Sequence, residues 1–431
     1  LNSPVEHSTL YDPGLSFEGE ILSIRGAKIV ALLPLIPIGA LCEIKSTPPS
    51  KAVVVAFNND EAILLPLYVC SNIAPGSKVT SHGLPPTLTL HQANPWGVFN
   101  YAGEHLASDS QHESECTVLA LDAEPPKSIE RKKLINQCTT GIRSIDALFP
   151  IAYGQRIALL AQPGVGKSTL LGAITKNAQV DCTVIGLVGE RGREVNEFID
   201  ESVGDLNENN AMIFVATSDA LPMTRWLTAL AATRAAEYFR SQGKNVLLCI
   251  DSLTRCARAI REYSLVLGEL PVRHGFTPSV YELLPRFLER AGNDHTGSIT
   301  AIYTLLSEEN GEDPLSSEII SLLDGHLFLS KQLAQRGIFP AIDPLRSISR
   351  LSSKLCNEKQ RDAMGSFIHY WSRLERDKDM LQLGGIEDEE LLYAAKIEEK
   401  MINFLRQRLG QKVTLEQALA ELYKSITKIN S

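Results

Sequence analysis

The sequence predicts an α/β chain: a mostly parallel sheet with helices between its strands, a small β-barrel before it and a helical domain after it. Three observations carry this. Short β-rich runs broken by tight-turn residues fill Glu18 to Cys70. From Ile142 apolar strand-like runs alternate with helical stretches, the pattern of a parallel sheet, and past Arg350 no strand signal remains. The expected units are residues 1–75, 76–350 and 351–431.

The barrel strands are EILSIRG, KIVALL, ALCEIKS, KAVVVAF and EAILLPLYV, five or so runs separated by Pro, Gly, Asn-Asn-Asp and Ser-Thr-Pro-Pro. Ala74 to Ser128 is rich in Pro, Gly, Ser and His and ends in the linker AEPPKS; it gives no clear strand or helix pattern. In the core, RIALLA, TVIGLVG, AMIFVAT, NVLLCID, SITAIYTLL and GHLFLS read as strands. MTRWLTALAATRAAEYFRSQGK reads as a long helix stopped at Gly243. In the last unit, Ile397, Met401, Leu405 and Leu409 recur at helical spacing with Gly410 as the stop, and Thr414 with Gln417 forms a capping-box pattern.

Composition narrows the function classes. A length of 431 residues calls for two or three units, and 44% hydrophobic with 22% charged residues is ordinary for a globular protein. The formal net charge is −9, from 42 basic and 51 acidic side chains, so no general attraction to nucleic acid is expected. The eight cysteines, at 42, 70, 116, 138, 182, 249, 256 and 356, form no Cys-x-x-Cys pair and read as buried reduced thiols. No secretory signal is recognisable, and Ile29 to Leu41 is too short and too rich in Pro to span a bilayer, which points to the cytoplasm. The chain opens on Leu1 and not Met, so its natural N-terminus is expected upstream.

The sharpest motif is Ala161-Gln162-Pro163-Gly164-Val165-Gly166-Lys167-Ser168-Thr169, between the strand RIALL and the helix STLLGAITKNA. That context is what a Walker A loop requires. Its backbone N–H groups and the helix N-terminus would face phosphates, Lys167 would reach the β- and γ-phosphates of ATP, and Ser168 would ligate Mg²⁺. Pro163, Gly164, Val165, Gly166, Lys167, Ser168 and Thr169 are thus the candidate nucleotide-binding residues. Ala161 stands where the general pattern has Gly, and Pro163 removes one N–H, yet Gly164, Gly166 and Lys167 preserve the cradle.

Two acids end strands of the same sheet. Glu190 follows TVIGLV, and Asp251 closes NVLLCI. In a parallel sheet the ligand crevice lies at the carboxyl ends of the strands. Hydrolysis needs one carboxylate to polarise water and another to hold Mg²⁺, roles that suit Glu190 and Asp251 respectively. Either acid alone would read as a helix cap or a solvated turn; their order beside a phosphate loop changes that.

GQRIALLAQPGVGKSTLL, LVGERGREVNEFI, VLLCIDSLTRCARAIREYSL, PSVYELLPRFLERAG and GIFPAIDPLRSISRL resemble, in order, the signature segments of type III secretion and flagellar export ATPases, relatives of the catalytic β subunit of rotary ATP synthases. The likeness is dense from Ile129 to Leu351 and visible at EILSIRGAKIVALLPLIPIGALCEI. It implies a P-loop (RecA-like) core and a homohexamer with ATP between neighbouring subunits. By this resemblance Lys167, Ser168 and Asp251 match phosphate and Mg²⁺ residues, Glu190 the catalytic glutamate and Arg191 its basic neighbour. Arg350 matches an arginine finger lent by the next subunit, and Phe339 an aromatic against the adenine ring. The implied work is protein export: releasing chaperones from cargo and unfolding the cargo, with a central stalk, a peripheral stator and chaperone–cargo complexes as partners. The place would be the cytoplasmic face of the inner membrane.

The chain departs from the pattern at Gln162 and Pro163, which bear on nucleotide affinity, and at HQANPWGVFNYAGEHLAS. The run Glu387 to Glu390 is also similar to an acidic segment of the synthase β subunit. Rival readings are a rotary synthase subunit, a non-catalytic ring subunit and an RNA-translocating termination helicase. LLPRFLERAG and GKST favour the secretion family, Glu190 opposes a non-catalytic subunit, and the first strands lack a basic–aromatic stripe for RNA. Overall texture leans to an injectisome over a flagellum.

Overall fold

The computed structural model describes residues 15–70, 72–92, 95–106, 115–208, 210–306, 314–377 and 388–427. Six strands close an N-terminal barrel: β1 (Phe17–Arg25), β2 (Lys28–Leu32), β3 (Leu41–Ile44), β4 (Ser50–Asn58), β5 (Glu61–Pro66) and β6 (Lys78–Ser81). The sixth comes from the stretch that gave no strand signal, because KVTS is too short to show alternation. Ile21, Ile29, Ala31, Ile44, Val54, Leu64 and Val79 fill the interior.

The central sheet is built from β7 (Gly97–Phe99), β8 (Arg156–Ala161), β9 (Cys182–Glu190), β10 (Ala211–Thr217), β11 (Asn245–Asp251), β12 (Ser298–Leu306), β13 (Gly325–Leu329) and β14 (Ile348–Ser349). Their spatial order is β14-β13-β8-β12-β11-β9-β10-β7, parallel except for β14, with Gly292–Asn293 as a short antiparallel addition on β12. All six strand runs read from the core sequence are here. The edge strand β7 escaped notice because three residues carry no period.

Both sheet faces are covered, which is why these strands read as continuous apolar runs. Ala158, Leu160, Val184, Leu248 and Ile250 face a core shared with α3 (Pro222–Ser241), α4 (Leu253–Val266) and α5 (Pro278–Glu289). The alternate residues Ile157, Leu159, Ile185, Leu187 and Cys249 face the other core. That core holds α1 (Arg143–Leu148), α2 (Lys167–Asn177) and the C-terminal helices α6 (Glu358–Arg376), α7 (Glu389–Leu405) and α8 (Leu415–Ile426). Thr414 and Gln417 make the expected reciprocal cap on α8. Helix α3 ends at Ser241, and Gly243 follows two residues on with φ 83°.

Two expectations are corrected. Helix α7 stops at Leu405, and Leu409, placed on its core face by the spacing, is 77% exposed in the following loop. Arg143 explains the stop: its guanidinium donates to the carbonyls of Asn403 (3.0 Å) and Phe404 (3.2 Å), satisfying the last turn. Six cysteines are buried, but Cys116 is exposed and Cys70 partly so. Of the acidic run, Glu387 lies outside the described residues, while Asp388 caps α7 and pairs with Arg373.

A fully buried ion pair joins α3 to the end of α5. Arg290 donates to both carboxylate oxygens of Glu237, at 2.7 and 2.9 Å, and to Leu121 O at 3.0 Å. Burial pushes the Glu237 carboxyl up, and Arg290, Arg234 and Arg240 outweigh it and hold it below the usual range. Arg290→Met should therefore cost about 3–5 kcal/mol in urea unfolding, because it takes the two-pronged partner from a buried carboxylate and leaves it only Arg234, at 3.1 Å, as a direct partner among the described residues. Adding Glu237→Leu should recover most of that loss. A single variant within ~1 kcal/mol of wild type would show that the pair holds nothing together.

Candidate nucleotide site

The site forms where the carboxyl ends of β8, β12, β11 and β9 meet one edge of the sheet. After β8 the chain turns through Gln162 to Gly166. Gly164 (φ 81°) and Gly166 (φ 89°) take left-handed backbone, and Gly166 is the N-cap of α2. Leu170, Leu171 and Ile174 anchor the helix in the core, leaving Ser168 and Thr169 of its first turn exposed toward the crevice. Pro163 and Gly164 are also exposed, while Val165 is buried under the loop.

Lys167 connects the parts. Its ammonium pairs with Asp251 Oδ1 and lies 3.5 Å from Glu190 Oε1. Asp251 is almost fully buried and accepts the Thr304 hydroxyl from the intervening strand β12 at 2.6 Å. In the sheet Asp251 is level with Leu187, so Glu190 projects three residues further along β9. Pairing with β10 becomes irregular between Val188 and Glu190, at Gly189 with φ 74°, and this re-aims the acid. Gly189 is needed twice, since a Cβ there would also lie 2.9 Å from Arg255 Cδ.

Arg255 was not singled out in the sequence, yet its Nη2 is 3.0 Å from Glu190 Oε2. Ser252 caps α4, which sets Arg255 in the helix's first turn facing the end of β9. Arg191, the residue expected beside the acid, turns outward, with its side chain 79% exposed and 3.5 Å from Glu194. Successive residues leave an extended strand on opposite sides, so the neighbour in sequence is not the neighbour in space.

Burial and the nearby Asp251 carboxylate raise Glu190, and Lys167 and Arg255 oppose them; the net position is pushed up to about 6. Glu190 is 8% exposed, and among the described residues its Oε1 accepts no hydrogen bond, with the Lys167 ammonium 3.5 Å from it. An acid held near 6 is mostly ionised at neutral pH, and at the edge of a crevice it can orient and deprotonate a water. For Mg²⁺ the donor set fits: a hydroxyl at the helix start and one carboxylate, with no cluster of three His, Cys, Asp or Glu side chains among the described residues. Mg²⁺ keeps most of its waters and leans on substrate phosphates, so it needs no more.

Beside the loop lies an apolar cleft of about 400 Å³ lined by Ile142, Val165, Gly166, Phe339 and Pro340, with Gln407 to Gln411 forming its far wall. Phe339 is 47% exposed here, 3.8 Å from the position of a Cβ on Gly166. The size and lining suit a planar base.

Arg350 sits elsewhere. Its N–H donates to Asp324 O, and the Asp324 N–H donates to Arg156 O at the start of β8. The phosphate loop begins at the other end of that strand, about 17 Å away at 3.3 Å per residue. The side chain is exposed, with Nη2 3.5 Å from Ile320 O. Arg350 therefore cannot serve the loop of its own chain.

Among the described residues no helix is long and apolar enough to cross a membrane. Residues 141–349 match the ATP synthase alpha/beta family, nucleotide-binding domain, and 356–424 the T3SS EscN ATPase C-terminal domain. The chain is 37% identical to the flagellum-specific ATP synthase of Bacillus subtilis (strain 168), covering 94% of each. It is 38% identical to the type 3 secretion system ATPase of Xanthomonas euvesicatoria, covering 85% of this chain and 84% of the other. The assembled ATPase EscN of enteropathogenic E. coli superposes with a TM-score of 0.89 at 37% identity, over 95% of this chain and all of that one. A second EscN structure, in complex with its central stalk EscO, gives 0.88 at 36%, with the same shares covered. With loop, paired acids and barrel in one arrangement, the chain belongs to the ATP synthase alpha/beta family, among the flagellar and type III secretion ATPases, and is an ATP-hydrolysing enzyme.

Proposed function

We propose that the protein works as a homohexameric ring in which each ATP lies between two protomers, and that hydrolysis drives protein export through a type III apparatus. The position of Arg350 carries this reading: lying at the far end of β8 from its own phosphate loop, the arginine that the resemblance makes a finger could act only on a neighbour's site. EscN, similar along nearly its whole length, is assembled in its solved form and binds a central stalk there. A stalk through the ring, a peripheral stator and chaperone–cargo complexes at the C-terminal helices are the partners proposed here, with the ring on the cytoplasmic face of the inner membrane. No nucleic acid is expected.

The chemistry follows from the side chains. The loop amides and Lys167 bind the triphosphate, and its oxygens compete with Asp251 for the Lys167 ammonium. Asp251, relieved of that pairing and steadied by Thr304, and Ser168 would then hold Mg²⁺. When bound, the metal neutralises phosphate charge. Phe339 packs on the base. Glu190 takes a proton from the attacking water, held in place by Arg255. The neighbour's Arg350 meets the charge that develops on the transferring phosphoryl group. Arg191 is exposed close enough to the crevice to meet a nucleotide or the next protomer, without touching Glu190.

Because Glu190 must be ionised to act, kcat/KM should fall roughly tenfold per pH unit below about pH 6. Arg255→Gln removes a cation that favours the charged carboxylate, so its acid limb should move to higher pH. Comparing the two profiles cancels the substrate's own ionisation. Superimposable limbs would mean Glu190 is not the titrating group. The export role is tested by ATP-dependent release of a chaperone from its cargo by purified protein. Release as fast with Glu190→Gln as with wild type would separate this ATPase from that work.

A further inference from the structure

We infer that Gln407 is a positioning residue that seats the far wall of the base cleft, so that affinity for the nucleotide base depends on how the C-terminal helices are docked. This rests on reading that cleft as the site of the base. The sequence begins the argument: after α7 ends at Leu405, Arg406-Gln407-Arg408-Leu409-Gly410-Gln411 leaves the helix and crosses to the cleft. It makes a tight turn there, with the Gln411 N–H donating to Arg408 O at 3.1 Å. Gly410 lies in the left-handed region at φ 76°, which a turn of this kind asks of glycine. The turn presents Leu409, 77% exposed, and Phe339, 47% exposed, as apolar walls of one cleft.

Little in the strip is buried except Gln407, which is 9% exposed and fully engaged. Its N–H donates to Phe339 O at 2.8 Å. Its Oε1 accepts the Arg143 N–H at 2.7 Å, and its Nε2 donates to Gly141 O at 2.8 Å and to Gln411 O at 2.7 Å. One side chain thus fixes the turn to the loop before α1, while its backbone fixes it to Phe339. Arg143 carries the link onward, since its guanidinium holds the last carbonyls of α7 and pairs with Glu421 of α8 at 2.6 Å. A shift of the C-terminal helices therefore pulls on Arg143 and Gln407 together and moves Leu409 relative to Phe339. Events at those helices reach the base wall through this joint.

The two halves of a nucleotide separate this role from general stability. Calorimetric titrations of Mg·ADP and of Mg·tripolyphosphate, which lacks a base, are compared for wild type, Gln407→Leu, Gly410→Ala and Phe339→Ala. Gln407→Leu should weaken ADP by about tenfold or more and tripolyphosphate by less than about twofold. Gly410→Ala keeps the Gln407 side chain and its bonds to Arg143 and Gly141 and strains the turn itself, and it should show the same split. It decides the matter if Gln407→Leu fails to fold. Equal weakening of both ligands, or none, overturns the inference. If Phe339→Ala weakens ADP while the two strip variants do not, the base cleft stands and the Gln407 role falls. If Phe339→Ala also leaves ADP unchanged, the cleft reading falls and takes this inference with it.

Discussion

Arg350→Ala is expected to lower turnover at saturating ATP by about 10³ or more, the scale of an arginine finger. Few surface arginines could have such an effect. Among the described residues its guanidinium makes one long hydrogen bond, to Ile320 O at 3.5 Å, so its loss should leave the melting temperature and ADP affinity of the isolated protomer near wild type. The defect should appear only in the chemical step, and only where protomers meet. Wild-type activity per protomer should rise steeply with protein concentration as rings form, while that of Arg350→Ala should stay low throughout. Full activity in the variant would assign the finger to another residue.

Glu190→Gln is expected to abolish most turnover, by about 10²–10⁴, while nucleotide still binds. The amide keeps the shape of the acid and its reach toward Arg255 but cannot take a proton. Lys167 loses the charge of Glu190, 3.5 Å away, but keeps its pairing with Asp251, so the phosphate grip survives. The negative charge that opposes an incoming triphosphate is reduced, so affinity for ATP should hold or improve. A variant that neither binds nor turns over ATP would point to a structural part for Glu190. One that turns over normally would remove it from the mechanism.

Much of this was legible because the informative residues come in ordered runs. The phosphate loop is continuous in sequence, and Glu190 and Asp251 each close an apolar strand, so the sheet's geometry brings them together without further information. Arg255 and Thr304 were not legible in that way. Arg255 reaches Glu190 because Ser252 starts α4 at one angle and Gly189 leaves room; both are facts about backbone direction. Thr304 lies inside SITAIYTLL, where a threonine reads as an ordinary strand residue, and only the strand order puts it beside Asp251. Leu409 misled for the opposite reason. Helical spacing continued past the point where the Arg143 guanidinium, from 260 residues earlier in the chain, had already closed the helix. Periodicity records what a segment can bury, and long-range hydrogen bonds decide where it stops.

The shared site is tested most directly by mixing the two inactive variants. Arg350→Ala protomers keep Glu190, and Glu190→Gln protomers keep Arg350. A ring of both therefore contains junctions where an intact acid faces an intact arginine. Each variant alone should be nearly dead, and an equal mixture should recover roughly a quarter of wild-type turnover if rings assemble at random from head-to-tail contacts. A mixture no more active than its components, under conditions where mixed rings are shown to form, would mean that the arginine and the glutamate do not meet across a subunit boundary.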